Sequence, residues 1–100
     1  MTETPIACTL GAAELATQAG RWQALSAAAA TKRTVTEKGL RLAFRRDPAV
    51  ERELTALVAV EVECCRWADW RIDADADELV LEISSTGDGI PVIQGWFLAV

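Results

Sequence analysis

A chain of 100 residues, about half of them apolar and a quarter charged, has the composition of one small globular domain, which excludes an intrinsically disordered protein. The net charge of −5, without a cluster of Lys and Arg, argues against a nucleic-acid-binding protein, because binding to phosphates requires a basic surface. The absence of histidine excludes His-based catalytic triads and histidine-ligated metal sites.

The sequence also bears on the location of the protein. No apolar run reaches the length of a membrane span, which predicts a protein without a transmembrane helix. The first residues lack the positive flank of a signal peptide, so we expect a cytoplasmic protein. In that reducing compartment, three cysteines do not indicate a disulfide framework.

The N-terminal part of the chain predicts a strand followed by a helix. Alternating apolar residues predict a first strand over Thr4 to Leu10, with the Cys8 side chain facing the core. Gly11 interrupts this pattern, and apolar residues at helical spacing then predict a helix to about Ala30. Much of the apolar face of this helix is alanine, so Trp22 is expected to supply much of its anchoring.

The middle of the chain predicts a hairpin and a second helix. The alternation over 40–45, with β-branched residues at 34–36 before it, is typical of two paired strands. Asp47 followed by Pro48 is a strong helix start, because Asp accepts free backbone N–H groups and Pro loses no hydrogen bond at the first helical position. This helix is expected to end at about Cys64 or Cys65.

The C-terminal part predicts a second hairpin and a short last helix. Two alternating segments, 66–73 and 79–84, flank an acidic turn and predict antiparallel strands with one buried face. Pro91 is expected to begin a helix that is apolar on nearly every side, with Trp96 near its end. Such a helix is expected either to pack under the sheet or to form a homodimer interface.

The order of these elements predicts the fold class. One domain spanning 1–100 is expected, because no linker, low-complexity segment or internal repeat interrupts the chain. The predicted fold is α+β: an antiparallel sheet of four to five strands with helices packed on one face, a variant of the ferredoxin-like arrangement.

The second helix carries two reactive side chains on the face that it should bury. Positions 50, 54, 57, 58, 61 and 65 form one helical stripe, and its last two members are Glu61 and Cys65. Cys64 is adjacent in sequence, and Cys8 is predicted to face the same core. Two or three converging thiolates beside a carboxylate would suit zinc, mercury(II), arsenic(III) or copper(I). The candidate ligands of a soft metal or metalloid ion are therefore Cys8, Cys64, Cys65 and Glu61.

Other interpretations of these residues stay open. A cysteine often packs as a small apolar residue, and Glu61 would lie at the rim if its helix were rolled slightly. The protein would then be a structural or interaction module with inert cysteines. A catalytic thiol is less well supported, because the negative end of a helix dipole beside Glu61 and Glu63 favours the neutral thiol.

Short motifs in the chain resemble those of a group of short bacterial proteins. The motifs are Cys8-Thr9-Leu10, then Glu61-x-x-Cys64-Cys65, then the aromatic-bearing strand Trp67-Ala-Asp-Trp70. Such proteins occur beside, or fused to, regulators of the MerR type, which respond to metals or other stress. The resemblance implies heavy-metal or metalloid handling, or an accessory role next to a regulator, and no established activity. The two tryptophans differ from the phenylalanine or other apolar residue expected there, which bears on the shape of any pocket.

Overall fold

The computed structural model describes the backbone of residues 12–96 and the side chains of residues 16–63 and 65–95. Three helices and four strands make up this part of the chain. They are α1 (Ala12–Ala29), β1 (Ala30–Thr36), β2 (Gly39–Arg45), α2 (Pro48–Cys64), β3 (Asp69–Ala74), β4 (Glu78–Ser84) and α3 (Gly89–Trp96).

The four strands form one sheet in the order β1-β2-β4-β3, and every neighbouring pair is antiparallel. The predicted α+β class, with a four-stranded antiparallel sheet, is confirmed. Both hairpins and the helices that follow them were predicted, although β3 begins later than Arg66 and α3 begins before Pro91. The predicted first strand, Thr4 to Leu10, lies outside the described residues.

The core lies between one face of the sheet and the three helices. Alternation along the strands sends every second side chain to this face. In β4 these side chains are Leu79, Leu81 and Ile83, and all three are fully buried. The residues that complete the core from the remaining elements are Leu40, Leu42 and Phe44 of β2, Trp22, Leu25 and Ala29 of α1, Val50, Leu54, Leu57 and Val58 of α2, and Ile93 of α3.

The opposite face of the sheet is polar. Arg41 of β2 pairs with Glu82 of β4 at 2.7 Å, and Arg71 of β3 lies 3.5 Å from the same carboxylate and 3.1 Å from Asp73. These ion pairs are exposed, so each adds little to stability. The face is a solvated charged surface, whereas the helices cover the apolar one.

Helix α2 has well-defined ends. The Asp47 side chain accepts a hydrogen bond from the backbone N–H of Ala49 at 2.8 Å, and Pro48 follows as the first helical residue, as predicted. At the other end Cys65 leaves the helical conformation, with φ −121° and ψ 64°. Its backbone N–H still donates to the Glu61 carbonyl at 2.6 Å. Cys65 is therefore held one turn beyond Glu61.

The two halves of the described chain repeat one arrangement: a helix, an outer strand and an inner strand. Equivalent residues are 39 positions apart, so that the pair Arg33–Leu42 in the first hairpin corresponds to Ile72–Leu81 in the second. The inner strands, β2 and β4, pair at the centre of the sheet. The fold thus has an internal pseudo-twofold relation, which the amino-acid sequence did not indicate.

Polar side chains of α1 reach α2 at two places. Gln18 and Trp22 both contact Glu61 near the end of α2, and Arg21 contacts Glu53 nearer its start.

The ion pair between the helices predicts a pH-dependent contribution to stability. Hydrogen bonds from the Arg21 guanidinium, at 2.8 and 3.1 Å, hold the pKa of Glu53 below its usual value. Because the folded-state pKa is the lower one, this contribution is complete above the unfolded-state pKa of Glu and is lost as pH falls through the folded-state pKa. As pH falls from about 5 to about 3, we expect the free energy of unfolding to decrease less in Arg21→Met than in the wild type. Urea unfolding at each pH measures this difference.

Arg52→Met is the matched control for this test, because Arg52 is exposed on α2 and its loss removes the same charge. The control should keep the wild-type dependence on pH. Equal pH dependence in Arg21→Met and the wild type would contradict a stabilising role of the pair.

Candidate functional site

A cluster of four side chains joins α1 to the end of α2: Gln18, Trp22, Glu61 and Cys65. We refer to it as the Glu61 cluster. All four are buried, with exposed fractions of 6%, 2%, 0% and 1% respectively. Helical spacing places Gln18 and Trp22 on one face of α1. Cys65 directly follows α2 and lies on the same side as Glu61, whose carbonyl accepts from the Cys65 backbone N–H. The two faces meet in the core.

The Glu61 carboxylate receives two hydrogen bonds from α1. Its Oε2 atom accepts from the Trp22 indole Nε1 at 2.8 Å and from the Gln18 Nε2 at 3.1 Å. The same Gln18 nitrogen also donates to the Leu57 carbonyl at 3.1 Å, so the amide has a partner for each of its hydrogens. Both Gln18–Leu57 and Trp22–Glu61 join residues 39 positions apart, which places these contacts near the pseudo-twofold axis.

The second carboxylate oxygen faces the thiol. Cys65 Sγ lies 3.6 Å from Glu61 Oε1, a spacing at which the thiol donates to the oxygen. The Cys65 carbonyl in turn accepts from the Trp70 indole Nε1 at 3.4 Å. The position of Cys65 is thus fixed by a hydrogen bond from its side chain to α2 and by a hydrogen bond from β3 to its backbone.

These contacts explain how a carboxylate can lie in the core. Burial of a carboxylate without partners is costly, and hydrogen bonds to a charged group offset that cost. The interpretation that places Glu61 at the rim is wrong, because its side chain has no exposed surface. Of the partners expected for a buried Glu61, Arg21 binds Glu53 instead and Arg66 is exposed. The donors are neutral groups: Trp22, Gln18 and the thiol.

The structure places two of the four predicted ligands together. Cys65 is buried beside Glu61, as predicted. Cys64 is the last residue of α2 and its side chain is not among those described, while Cys8 lies outside residues 12–96. Within the described part of the chain, no group of three or more Cys, Asp or Glu side chains is placed to hold a metal ion. The convergence of three sulfur atoms stays a prediction.

Gln18 and Trp22 were not predicted as partners of Glu61. Both lie on the apolar stripe of α1. The one sequence feature that could have indicated a buried polar partner was the glutamine on that stripe.

Trp70 packs against the core, as expected from strand alternation. Trp67 is half-buried beside the helix end, where its carbonyl accepts from Ser85 Oγ at 2.8 Å. Its indole Nε1 is buried and has no hydrogen-bond partner among the described residues.

Comparison of the chain with protein-family models, with curated proteins and with solved structures gives no significant match. The resemblance to proteins found near MerR-type regulators therefore stays a prediction. Across residues 12–96, none of the helices combines the length and the apolar character needed to cross a bilayer.

The hydrogen bond from Trp22 to Glu61 should contribute to stability. Trp22→Phe removes the N–H donor and leaves the buried carboxylate with one partner fewer, at a cost of about 1–3 kcal/mol in the free energy of unfolding, in addition to lost packing. Urea unfolding at neutral pH measures this difference.

Trp67→Phe is the matched control, because the same substitution there removes an indole N–H that makes no hydrogen bond to the described residues. We expect this variant to lose only its packing contribution. A cost for Trp67→Phe as large as that for Trp22→Phe would contradict the assigned role of the indole N–H.

Proposed function

We propose that the protein binds a thiophilic metal or metalloid ion, such as zinc, mercury(II) or arsenic(III), through Cys65 and Glu61. Cys8 and Cys64 are the further sulfur ligands of this proposal. The observation that carries it is the contact between a fully buried carboxylate and a buried thiol, 3.6 Å apart, at the end of α2. The biological context proposed is heavy-metal or metalloid handling, or an accessory role beside a regulator.

The position of the thiol favours ion binding over nucleophilic catalysis. Cys65 follows the C-terminus of α2, where the helix dipole is negative, and its nearest acidic neighbour is Glu61. Both features favour the neutral thiol, whereas a nucleophile must be a thiolate. A bound cation reverses this balance, because it attracts the thiolate and the carboxylate together.

The inclusion of Cys8 rests on the sequence, where it alternates with Ile6 and Leu10 on the side expected to face the core. Cys8 precedes Ala12, the first described residue of α1, by four positions, and α1 supplies two of the hydrogen bonds to Glu61.

The end of α2 supports the inclusion of Cys64. Adjacent side chains diverge in a regular helix, but α2 ends at Cys64 and the Cys65 backbone is no longer helical. This break in the helix removes the geometric objection to two neighbouring sulfur ligands.

Native mass spectrometry of the reduced protein with Zn²⁺, Hg²⁺ or As(III) tests the proposal. We expect one ion per chain in the wild type and loss of that ion in Cys65→Ser and Glu61→Gln. Glu63→Gln should bind as the wild type does, because Glu63 is an exposed carboxylate on the same helix. Unchanged stoichiometry after joint replacement of Cys8, Cys64 and Cys65 by serine would overturn the proposal.

A second candidate is a structural or interaction module in which the cysteines are inert. The observation in its favour is that both Glu61 oxygens already have donors, so the cluster is complete without an ion. In this case α3, the C-terminal helix, is the proposed homodimer interface. The apolar Val92 side chain on α3 is 41% exposed and could therefore contact a second copy of the chain.

On this second candidate, sedimentation should show a dimer that Val92→Asp converts to monomer, because a charge in an apolar interface is costly. Val62→Asp is the control, since Val62 is similarly exposed on α2 and lies outside the proposed interface. A monomeric wild type, or equal effects of the two variants, would exclude α3 as the interface.

A further inference from the structure

We propose that the polar face of the sheet associates with the same face of a second copy of the chain, through pairing of opposite charges. The three described helices lie on the other face, so within residues 12–96 no helix covers this one. The proposal rests on how charge is distributed across the four strands. It concerns a surface separate from the Glu61 cluster and does not depend on ion binding.

The charges of the polar face are divided between the two halves of the sheet. Strands β1 and β2 present basic side chains and no acidic ones on this face, whereas β4 and β3 present four acidic side chains and one basic one. The charged residues are Lys32, Arg41 and Arg45 on the first half, and Glu78, Glu82, Asp69, Asp73 and Arg71 on the second. One side of the face is therefore positive and the other is negative.

The strand register arranges these side chains in rows that cross the sheet. One row consists, from β1 to β3, of Lys32, Ala43, Val80 and Asp73. Its two ends carry opposite charges, and its middle is apolar. Ala43 and Val80 also line an open depression of about 460 Å³, which side chains of a second copy can enter.

A twofold axis parallel to the strands, between β2 and β4, places this row opposite itself in reverse order. Lys32 of each copy then faces Asp73 of the other, and Ala43 faces Val80, so opposite charges meet and apolar groups meet. Each contact occurs twice, as in any twofold interface. Packed sheets keep their strand directions within about 30° of each other, which preserves this correspondence near the axis.

The neighbouring rows match under the same rotation. Arg41 and Glu82 lie side by side at the centre of one row, and Arg45 and Glu78 lie side by side in another. The rotation sets Arg41 opposite Glu82 of the second copy and Arg45 opposite its Glu78. A twofold axis perpendicular to the strands would instead set basic strands on basic strands. The charges thus select one of the two face-to-face orientations.

The size of the face predicts a weak and reversible dimer. Four strands about 4.8 Å apart, with about seven residues each, form a face of roughly 19 by 23 Å. Two such faces bury about 900 Å² in total, slightly below the value of about 1,000 Å² expected for a stable interface. Exposed ion pairs contribute little energy each, so the charges determine the orientation and the choice of partner more than the strength.

Sedimentation equilibrium of the reduced, metal-free protein over a range of concentrations tests the proposal. We expect the wild type to approach the mass of a dimer as the concentration rises. Lys32→Glu and Asp73→Lys should each weaken association about tenfold or more, because like charges then meet at two contacts. Both positions are exposed, so the variants should fold.

An equimolar mixture of these two variants should associate as the wild type does, since each variant supplies the charge that the other lacks. Lys32 and Asp73 are three strand spacings apart in one chain, about 14 Å, so this rescue can occur only between copies. A mixture that associates no more strongly than the single variants would overturn the proposal.

Arg52→Glu and Glu63→Lys are the matched controls. They change the net charge by the same amounts at exposed positions of α2, on the other side of the sheet, and each chain already carries a net charge of −5. Both should leave association close to that of the wild type. Control effects as large as those of the sheet variants, or a wild type that is monomeric at every concentration, would contradict the proposal. So would a dimer that Val92→Asp dissociates and Lys32→Glu does not, because α3 would then be the interface.

Discussion

Burial of the Glu61 carboxylate between α1 and α2 restricts how these two helices can pack. An alanine-rich helix buries little apolar area, so α1 has few large side chains with which to fix its position. Trp22 is the largest of them, and it both fills the core and donates to Glu61. Because the carboxylate would be costly without these donors, the two helices can pack in few other ways. A polar contact thus supplies specificity where the apolar contact is small.

The end of α2 connects this contact to chemistry. The helical repeat places Cys65 one turn after Glu61 on the same face, and the helix stops immediately before the cysteine. The thiol therefore remains beside the carboxylate while its backbone turns toward β3. Trp70 of β3 binds the Cys65 carbonyl, so the sheet also holds the junction in place. A thiol and a carboxylate are kept in contact by elements from three parts of the fold.

Local patterns in the sequence predicted most of the described elements. The alternation Leu79-Leu81-Ile83 and the Asp47-Pro48 helix start depend on neighbouring residues only, and both are present as expected. The partners of Glu61 could not be predicted in the same way. Gln18 and Trp22 are about forty positions away in the sequence, and which of their atoms reach the carboxylate depends on how the two helices cross.

The internal repeat was missed for a related reason. Its two halves share the order and the register of their elements, but most equivalent positions carry different side chains. Among the exceptions, Leu40 and Leu42 of β2 match Leu79 and Leu81 of β4. Trp22 is equivalent to Glu61, and Ser26 is equivalent to Cys65. The carboxylate and the thiol occur in one half only, so the symmetry of the backbone does not extend to the candidate site.

We propose that the Glu61 carboxylate and the Cys65 thiol together form one buried ligand pair. X-ray diffraction from crystals grown with zinc, recorded on both sides of the zinc absorption edge, tests this pairing. We expect one anomalous peak per chain within bonding distance of Cys65 Sγ and Glu61 Oε1, with Trp22 and Gln18 still bound to Oε2. A peak elsewhere on the chain, or a Glu61 side chain turned out of the core, would contradict it.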